Sequence, residues 1–299
     1  MLYVSIELEK LKIISAKMGQ DISLIQASGG NTSLKLGKDI WVKGSGKRLK
    51  DSLKQEIFIR INNFAQYKDN FQNLDSSVLK PSIEAPLHTI LPHKVVLHSH
   101  PFDVITQTII VEKQADIKSL LSDFSYDYIP YCRPGKPLAE AIKKSLDKSI
   151  SEILILENHG LIVGAETVEI ADYLQQKVVQ LLKIPKRNYK APNLNLINQV
   201  SSQLKGTRLP RAEILHTLSL DPWSLELACK NPAYPDHVVF CGIQPAVFQS
   251  ITQINQNNVN KEKFLLIPGI GTLLTEKANH STEEMLEAQA EIFLRIPVN

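Results

Sequence analysis

The sequence has little of several features that mark particular classes of protein. Its three cysteines, Cys132, Cys229 and Cys241, show no CxxC spacing and cannot all pair with one another, which favours a reducing compartment. No apolar run approaches the length of a bilayer span, and the first residues meet acidic side chains too early for a signal peptide. These features predict a cytoplasmic protein.

The chain also lacks a strong charge of either sign. Its 34 basic and 31 acidic residues leave a formal net charge of +3, and nothing resembles a nucleic-acid arm or a polybasic membrane patch. The basic cluster KGSGKRLK at 43–50 is interleaved with glycine, which favours an anion-binding loop over a DNA contact surface. We therefore expect neither nucleic acid nor a membrane as partner.

Helical and strand periodicities alternate along the chain. Residues 5–19 have apolar positions at helical spacing, and TSLKL and DIWVK read as a hairpin through Gly37. Further strands are predicted at EIFIRI, KVVLHSH, DYIPYC, EILILE and LIVGA. Helices are predicted in PSIEAPLHTILPH with Ser82 as N-cap, in PLAEAIKKSLDK and over 167–184, while the polar stretch 62–79 is a surface helix or loop. This order is typical of an α/β chain.

Two of the eight histidines lie one residue apart at the end of an apolar run, VVLHSHPFD at 95–103. Strand side chains alternate with a period of two, so His98 and His100 project from the same face. His159 follows a second apolar strand and precedes Gly160, which permits close backbone approach. Such a pair can be structural, but three neutral imidazoles leave one coordination position open, as in catalytic zinc sites. Zinc suits this set best, with manganese, cobalt, nickel and iron as alternatives.

A carboxylate and two more histidines accompany this set. Glu84 lies in the first turn of a predicted helix, where the helix dipole alone favours an acidic residue; the alternative is a general acid/base beside the metal. His88, four residues on, is either a partner of the site or simply a buried histidine. We expect the second, and the same for His93.

Two glycine-containing loops offer backbone N–H groups and hydroxyls that can cradle an anion. They are SGGNTS and KGSG, and neither has the glycine spacing of a Walker or dinucleotide-binding motif. Glycine-rich hairpin turns also occur without ligands, so each loop alone leaves its role open.

Apolar periodicity is lost over 186–210, which makes this segment the best candidate for a domain boundary. Beyond it, 264–297 repeats the order of 153–185: an apolar strand, a turn ending in glycine, a second strand, a long helix and a closing Ile-Pro. Any two strand–turn–strand–helix units share this order, so a true repeat and a common pattern both remain open. We predict two domains, 1–190 and 191–299.

The strand HKVVLHSHP also has a partial echo in DHVVFCGIQP at 236–245. On this alignment Cys241 falls where His98 lies, and Ile270 falls where His159 lies. The C-terminal part would then be a shortened copy without the metal ligands.

Taken in order, these segments resemble the class II aldolase/adducin family. SGGNTSLKL is similar to the family's Gly-Asn-x-Ser phosphate loop, VKGSG to its second loop, PSIE to its Pro-Ser-x-Glu segment, HSH to its paired metal ligands and NHG to its third-ligand turn. The resemblance covers about residues 5–185, and within this family the segments are similar to those of fuculose-phosphate aldolase. The C-terminal PDHVVF and IPGIGTLLT are similar to the end of the aldolase part of bifunctional rhamnulose-phosphate aldolase/dehydrogenases.

The resemblance implies a fold and a ligand set. The fold is a three-layer α/β/α arrangement with a central, largely antiparallel sheet, followed by a smaller C-terminal α/β portion that reads as a degenerate repeat. The metal would be held by His98, His100 and His159, with Glu84 as acid/base. A substrate phosphate would lie near Gly30, Asn31, Ser33, Ser45, Gly46 and Ser82.

The expected activity is that of a metal-dependent lyase. It would cleave a sugar phosphate or related hydroxy-carbonyl compound through a metal-stabilised enediolate. The same site supports epimerisation, decarboxylation or dehydration, while adducin-like members are non-catalytic scaffolds without the ligands. By resemblance we also expect a homo-oligomer, a tetramer.

The sequence departs from the family pattern in three places. Glu84 and His98 are 14 residues apart, a shorter spacing than in fuculose-phosphate aldolase. Ile83 stands where fuculose-phosphate aldolase has a serine that contacts phosphate. The C-terminal tail lacks the tyrosine that the family's aldolases use as proton donor, which leaves Tyr126, Tyr128 and Tyr131 as candidates.

Overall fold

The computed structural model describes residues 2–62, 79–230 and 232–298. The chain divides into two units, residues 1–183 and 184–299. Within the described ranges, no helix combines the length and the apolar character that crossing a membrane requires.

The first unit is built on a seven-stranded sheet. Its elements are α1 (Leu2–Gln20), β1 (Asn31–Leu36), β2 (Asp39–Lys43), β3 (Phe58–Asn62), α2 (Ala85–Ile90), β4 (Val95–Ser99), α3 (Phe102–Ile109), α4 (Gln114–Leu120), β5 (Tyr126–Ile129), α5 (Lys136–Leu146), β6 (Ile153–Leu156), β7 (Gly160–Ala165) and α6 (Val168–Leu181). The strand order is β3-β2-β1-β4-β7-β6-β5, with β5 and β6 parallel and the other neighbours antiparallel.

Successive side chains of the central strand β4 point to opposite faces of the sheet and so belong to two different core layers. Val95 and Leu97 belong to a cluster that includes α1 and α6 on one face of the sheet. Val96 faces the other way and packs in a cluster with Leu87 of α2 and Leu138 of α5. Each such side chain, fully buried, stabilises the fold by about 1.5–3 kcal/mol. The predicted three-layer fold with a largely antiparallel sheet is therefore confirmed.

The strands predicted in the first unit are present. The hairpin turns at Gly37, whose φ is +61°, and Leu36 pairs with Asp39. The segments EIFIRI, KVVLHSH, EILILE and LIVGA contain β3, β4, β6 and β7. The strand in DYIPYC ends at Ile129, because Pro130 has no N–H to continue the ladder. Helices α3 and α4 were not predicted.

The helix predicted to start at Ser82 begins later, so the assignment of Ser82 as N-cap is wrong. Helix α2 begins at Ala85, and Glu84 occupies the N-cap position. The delay has a structural cause: Pro81 forms an antiparallel bridge with Gly44, which keeps the chain extended up to this point. The polar stretch predicted as a helix or loop lies almost entirely outside the described residues.

The second unit has a smaller, four-stranded sheet. Its elements are α7 (Leu194–Gln203), β8 (Thr207–Arg208), α8 (Thr217–Leu220), α9 (Pro222–Lys230), α10 (Pro235–Cys241), β9 (Ala246–Val247), α11 (Gln256–Lys261), β10 (Phe264–Ile267), β11 (Gly271–Thr275) and α12 (His280–Arg295). The strand order is β8-β11-β10-β9. Helix α7 lies inside 186–210, where the sequence lacked clear periodicity.

The two hairpins close in the same way, but the segments that precede them in the sequence differ. In β6–β7 the turn is closed by Leu156 and Gly160, and in β10–β11 by Ile267 and Gly271. The echo of β4 at 236–245 is wrong, because VVFC there is part of helix α10, which starts with proline at its first position.

Gly30 and Gly37 flank β1 and provide a matched pair of variants. Both have positive φ, so alanine at either position costs about 1–2 kcal/mol. At Gly30 an added Cβ would also lie 2.3 Å from Ile25 Cδ1 and 2.8 Å from the His98 carbonyl oxygen, whereas at Gly37 nothing lies within 4 Å. This overpacking adds about 1–3 kcal/mol. We expect Gly30→Ala to lower the free energy of unfolding clearly more than Gly37→Ala in denaturant titrations. Equal losses would contradict this packing.

Candidate metal centre

Strand β4 delivers two histidines to one point. His98 is its fourth residue and His100 follows its end, and the two rings lie with centroids 4.8 Å apart. Their Nε2 atoms are 3.1 Å apart. Both side chains are buried, and His98 has no exposed surface. The structure therefore places the two imidazoles together, as the alternation of strand side chains predicts.

The β6–β7 turn brings in the third histidine. The His159 ring lies 5.0 Å from the His98 ring and 5.1 Å from the His100 ring, measured between centroids. Asn158 takes φ +49°, and at Gly160 an added Cβ would lie 2.3 Å from the Ser99 carbonyl oxygen. Only glycine fits at that position, so Gly160 lets the turn approach β4 closely enough to join the three rings.

The Glu84 carboxylate faces this cluster from the start of α2. Its Oε2 lies 3.5 Å from His98 Nε2, and its Oε1 lies 3.4 Å from His159 Nε2. Glu84 is buried with 7% of its surface exposed. A buried carboxylate thus stands within reach of whatever the histidines bind.

The protonation of His98 suits a metal ligand. Burial lowers its pKa to about 3, so the ring is neutral at physiological pH. Its Nδ1 lies 3.0 Å from the Leu161 carbonyl oxygen, which only accepts, so the proton is on Nδ1 and the Nε2 lone pair faces the cluster.

The three histidines fit a divalent cation. One ligand atom from each lies within 4.8 Å of the others, so within the described ranges His98, His100 and His159 form a group able to hold a metal. Two nitrogens bound tetrahedrally to one zinc are about 3.3 Å apart, which is close to the spacing of the His98 and His100 Nε2 atoms. An all-imidazole set with an open fourth position suits zinc, and suits cobalt, nickel or iron as well.

Behind Glu84 lies a second layer of buried polar side chains. The Asn31 amide nitrogen donates to Glu84 Oε2 at 2.7 Å, and His88 Nε2 contacts Asn31 Oδ1. His88 Nδ1 lies 2.6 Å from the Ser33 hydroxyl. The side chains of Asn31 and Ser33, expected beside a substrate phosphate, are thus engaged inward. His88 is buried, as expected, but it is also linked to the site.

The second glycine loop lies beside the chain that leads to Glu84. The Ser45 N–H donates to the Lys80 carbonyl oxygen at 2.8 Å, and Ser82 follows two residues later. The Ser82 hydroxyl oxygen accepts a hydrogen bond from the Glu84 N–H at 3.3 Å. Ser45 and Gly46 are exposed, and Ser82 is partly exposed. These residues are open to a ligand.

Lys43, the first residue of KGSG, makes hydrogen bonds to both glycine loops. Its buried ammonium group donates to the Ser28 carbonyl oxygen in the first loop and, at 3.0 Å, to the Lys47 carbonyl oxygen in the second. Gly30, in the first loop, approaches the His98 backbone. A buried positive charge between two backbone-lined loops favours an anion nearby.

Two further supports of the ligands carry no recognisable sequence signal. Gln26 donates from its amide to the His100 carbonyl oxygen at 3.3 Å. The Thr108 hydroxyl accepts from the Asn158 N–H at 3.0 Å and so holds the turn that carries His159. Each partner pair is separated by 50 or more residues, so only the fold brings them together.

The candidate tyrosines differ in exposure. Tyr126 and Tyr128 are partly buried and pack against the core, and burial raises the pKa of both hydroxyls. Tyr131 is exposed, and its N–H donates to Glu157 Oε2 at 2.8 Å, two residues before His159. Among the three candidates, Tyr131 combines an exposed side chain with a backbone hydrogen bond to Glu157, in the turn that carries His159.

Burial of His88 predicts a pH dependence of stability. Its pKa is lowered from 6.5 to about 3, mainly by burial. Below about pH 6.5 the His88 imidazole is protonated in the unfolded chain but stays neutral in the folded protein. The free energy of unfolding therefore decreases as the pH falls towards 3, by about 1.4 kcal/mol per pH unit. We expect His88→Gln to make this slope shallower by about that amount. Denaturant unfolding of metal-free protein, followed at Trp41 in a Trp223→Phe background, measures it; equal slopes would contradict the prediction.

The sequence model of the class II aldolase and adducin N-terminal domain matches residues 13–184. The uncharacterized oxidoreductase YuxG of Bacillus subtilis (strain 168) is 29% identical over 206 residues, covering 58% of this chain and 28% of that protein. This chain thus spans less than a third of that relative's length.

Two solved structures share the fold. The N-terminal class II aldolase domain of a conserved protein from Thermoplasma acidophilum is 25% identical with a TM-score of 0.51, covering 59% of this chain and 92% of that one. A sugar-phosphate aldolase from Thermotoga maritima is 14% identical with a TM-score of 0.51, covering 60% and 95%. With more than half of its length matched by the family's own sequence model, this chain belongs to the class II aldolase and adducin family.

Proposed function

We propose that the first unit is a metal-dependent carbon–carbon lyase that acts on a sugar phosphate or a related hydroxy-carbonyl compound. The observation that supports this most is the convergence of His98, His100 and His159 with the Glu84 carboxylate, which lies 3.4–3.5 Å from two of the ring nitrogens. Imidazole ligands and a buried carboxylate are the groups that a metal-assisted aldol cleavage needs.

The three histidines would hold the cation, and zinc suits them best, with manganese, cobalt, nickel and iron as alternatives. When bound, the cation supplies Lewis-acid stabilisation of the negative charge that develops beside the substrate carbonyl. The protein's part is to keep the rings fixed. The Leu161 carbonyl oxygen sets the tautomer of His98, and Gln26 and Thr108 hold the backbone at His100 and beside His159.

Glu84 would move the proton. In a retro-aldol cleavage a base takes the hydroxyl proton as the carbon–carbon bond breaks, and an acid then returns a proton to the departing carbon fragment. Glu84 is the carboxylate beside the candidate metal ligands, and its burial excludes bulk water from competing. The Asn31 amide, which donates to Oε2, holds one oxygen and thereby sets the plane of the carboxylate.

Ser45, Gly46 and Ser82 would contact the substrate phosphate, with Gly30 shaping the neighbouring loop. Support comes from their exposure and from the Ser45–Lys80 hydrogen bond, which keeps the loop beside the chain leading to Glu84. The buried Lys43 ammonium adds positive charge here. The exposed Ile83 adds an apolar surface next to Glu84, which favours a substrate with an apolar or deoxy portion at that point.

Epimerisation, decarboxylation and dehydration would use the same groups, and the scaffold role of adducin-like members would use none of them. The presence of all three histidines and Glu84, buried and close to one another, supports an enzyme over a scaffold protein. We further propose a cytoplasmic homo-oligomer whose partner is a small molecule.

Metal content tests the ligand assignment. Protein folded in zinc-replete medium is expected to hold about one zinc per chain, because three imidazoles converge on one point. His159→Ala should lose stoichiometric metal in elemental analysis after gel filtration. His280→Ala, which changes an exposed histidine paired with Glu284, is the matched control and should keep it. Equal metal loss in both variants, or none in either, contradicts the assignment.

Turnover tests the role of Glu84. A screen of ketose phosphates, unphosphorylated ketoses and sugar acids with zinc, manganese or cobalt, scored for aldehyde or carbon dioxide, should find aldehyde release from a ketose phosphate. Glu84→Gln should lower kcat by about 10²–10⁴ while keeping the metal, because general acid/base catalysis contributes that much. Activity on unphosphorylated compounds alone contradicts the phosphate assignments, and carbon dioxide release contradicts aldol cleavage.

A further inference from the structure

Four buried side chains form a continuous hydrogen-bonded chain that ends on the Glu84 carboxylate. Two come from β1, where Asn31 and Ser33 are two residues apart and so face the same side of the strand. The other two, Glu84 and His88, are four residues apart at the start of α2 and lie on one face of the helix. The contacts run Ser33 to His88, His88 to Asn31, and Asn31 to Glu84.

The carboxylate fixes the direction of every hydrogen bond in this chain. An ionised carboxylate only accepts, so the group of Asn31 at 2.7 Å from Glu84 must be its NH₂. The Asn31 oxygen is then turned towards His88 Nε2, which must carry the ring proton. His88 Nδ1 is left with a lone pair, and it accepts from the Ser33 hydroxyl at 2.6 Å.

Because these side chains are buried, water does not compete for their hydrogen bonds. Ser33 and His88 have no exposed surface, and Asn31 has 2%. The neutral state of His88 required by the chain agrees with its pKa, which burial lowers to about 3. An inverted Asn31 amide would put its oxygen against the Glu84 carboxylate and its NH₂ against the His88 N–H. Both contacts would be repulsive, so the His88 proton and the carboxylate together select one amide orientation.

We propose that His88 is a positioning residue for Glu84, acting through Asn31 by locking the amide orientation that holds Oε2. The inference rests on the proposed function, because it assigns His88 a task in orienting the proposed acid/base. The hydrogen bonds of His88 run to Ser33 and Asn31, so it acts on Glu84 through Asn31. Its loss would free the Asn31 amide to rotate and let the carboxylate swing away from the ring nitrogens of His98 and His159.

Two variants of nearly equal polarity separate this role from packing. The terminal amide of His88→Gln can reach the position of Nε2 and donate to Asn31. The shorter amide of His88→Asn reaches only the position of Nδ1, where it can meet Ser33. We expect His88→Gln to retain most of the wild-type kcat. His88→Asn should lower kcat by about 10–100-fold, as loss of a group that orients a catalytic residue does, with KM and metal content unchanged. Equal kcat in the two variants, or a change in KM alone, overturns the proposal.

A measurement that needs no substrate tests the same positioning role of His88. Nitrogen-15 spectra of the metal-free full chain report the tautomer of each imidazole, with His88→Gln used to assign the His88 signals. We expect the neutral Nε2–H tautomer at His88. We also expect slowly exchanging Asn31 side-chain amide protons, which persist in His88→Gln and exchange fast in His88→Asn.

An Nδ1–H tautomer at His88, in which Ser33 accepts and the Asn31 link is broken, overturns the proposal. Amide exchange that is the same in both variants also overturns it. Failure of every substrate in the screen contradicts the proposed lyase function and leaves the spectroscopic test of His88 unaffected.

Discussion

The antiparallel pairing of β4 with β1 on one side and β7 on the other is the constraint on which the candidate site depends. This register sets His98 opposite Asn31 and, on the other side, opposite Ile162. The first pairing places Asn31, whose amide donates to Glu84, beside His98. The second places the turn before β7 at the end of β4, so His159 meets His98 and His100. A one-residue slip would turn His98 to the opposite face of the sheet.

Much of this arrangement follows from local sequence. Strand alternation predicts that His98 and His100 share a face, and a glycine after His159 indicates a turn that approaches another backbone. Long-range hydrogen bonding does not show in local patterns. Asn31 and Ser33 look like members of an anion-binding loop, but in the structure their side chains reach inward to Glu84 and His88. The fold decides which neighbour a short polar side chain meets.

Two secondary-structure predictions, the strand at 236–245 and the helix start at Ser82, are also wrong because short local patterns do not show their surroundings. Two valines followed by a large apolar residue occur as VVL in β4 and as VVF in α10, and three apolar residues are too short a run to fix a periodicity. Pro235 and Asp236, which favour a helix start, decide the second case. At Ser82 the cap residue type was suitable, but the bridge between Gly44 and Pro81 holds the chain extended and moves the helix start to Ala85.

The two hairpins give an internal comparison of scaffold and chemistry. β4-β7-β6-β5 and β8-β11-β10-β9 have the same sequence of antiparallel, antiparallel and parallel neighbours. Asn158 and Gly269 hold equivalent turn positions and both have positive φ. The next residue is His159 in one hairpin and Ile270 in the other. The turn geometry therefore does not require the histidine, which supports a functional reason for its presence in the first unit.

X-ray absorption at the zinc edge of the zinc-loaded full chain tests the proposed ligand set most directly. Three imidazole nitrogens at about 2.0–2.1 Å are expected, completed by oxygen, with no sulfur shell. The imidazole contribution should fall by one third in His159→Ala loaded at high zinc. Fewer than three imidazoles in the unaltered chain, or sulfur at about 2.3 Å, would contradict a metal centre built from His98, His100 and His159.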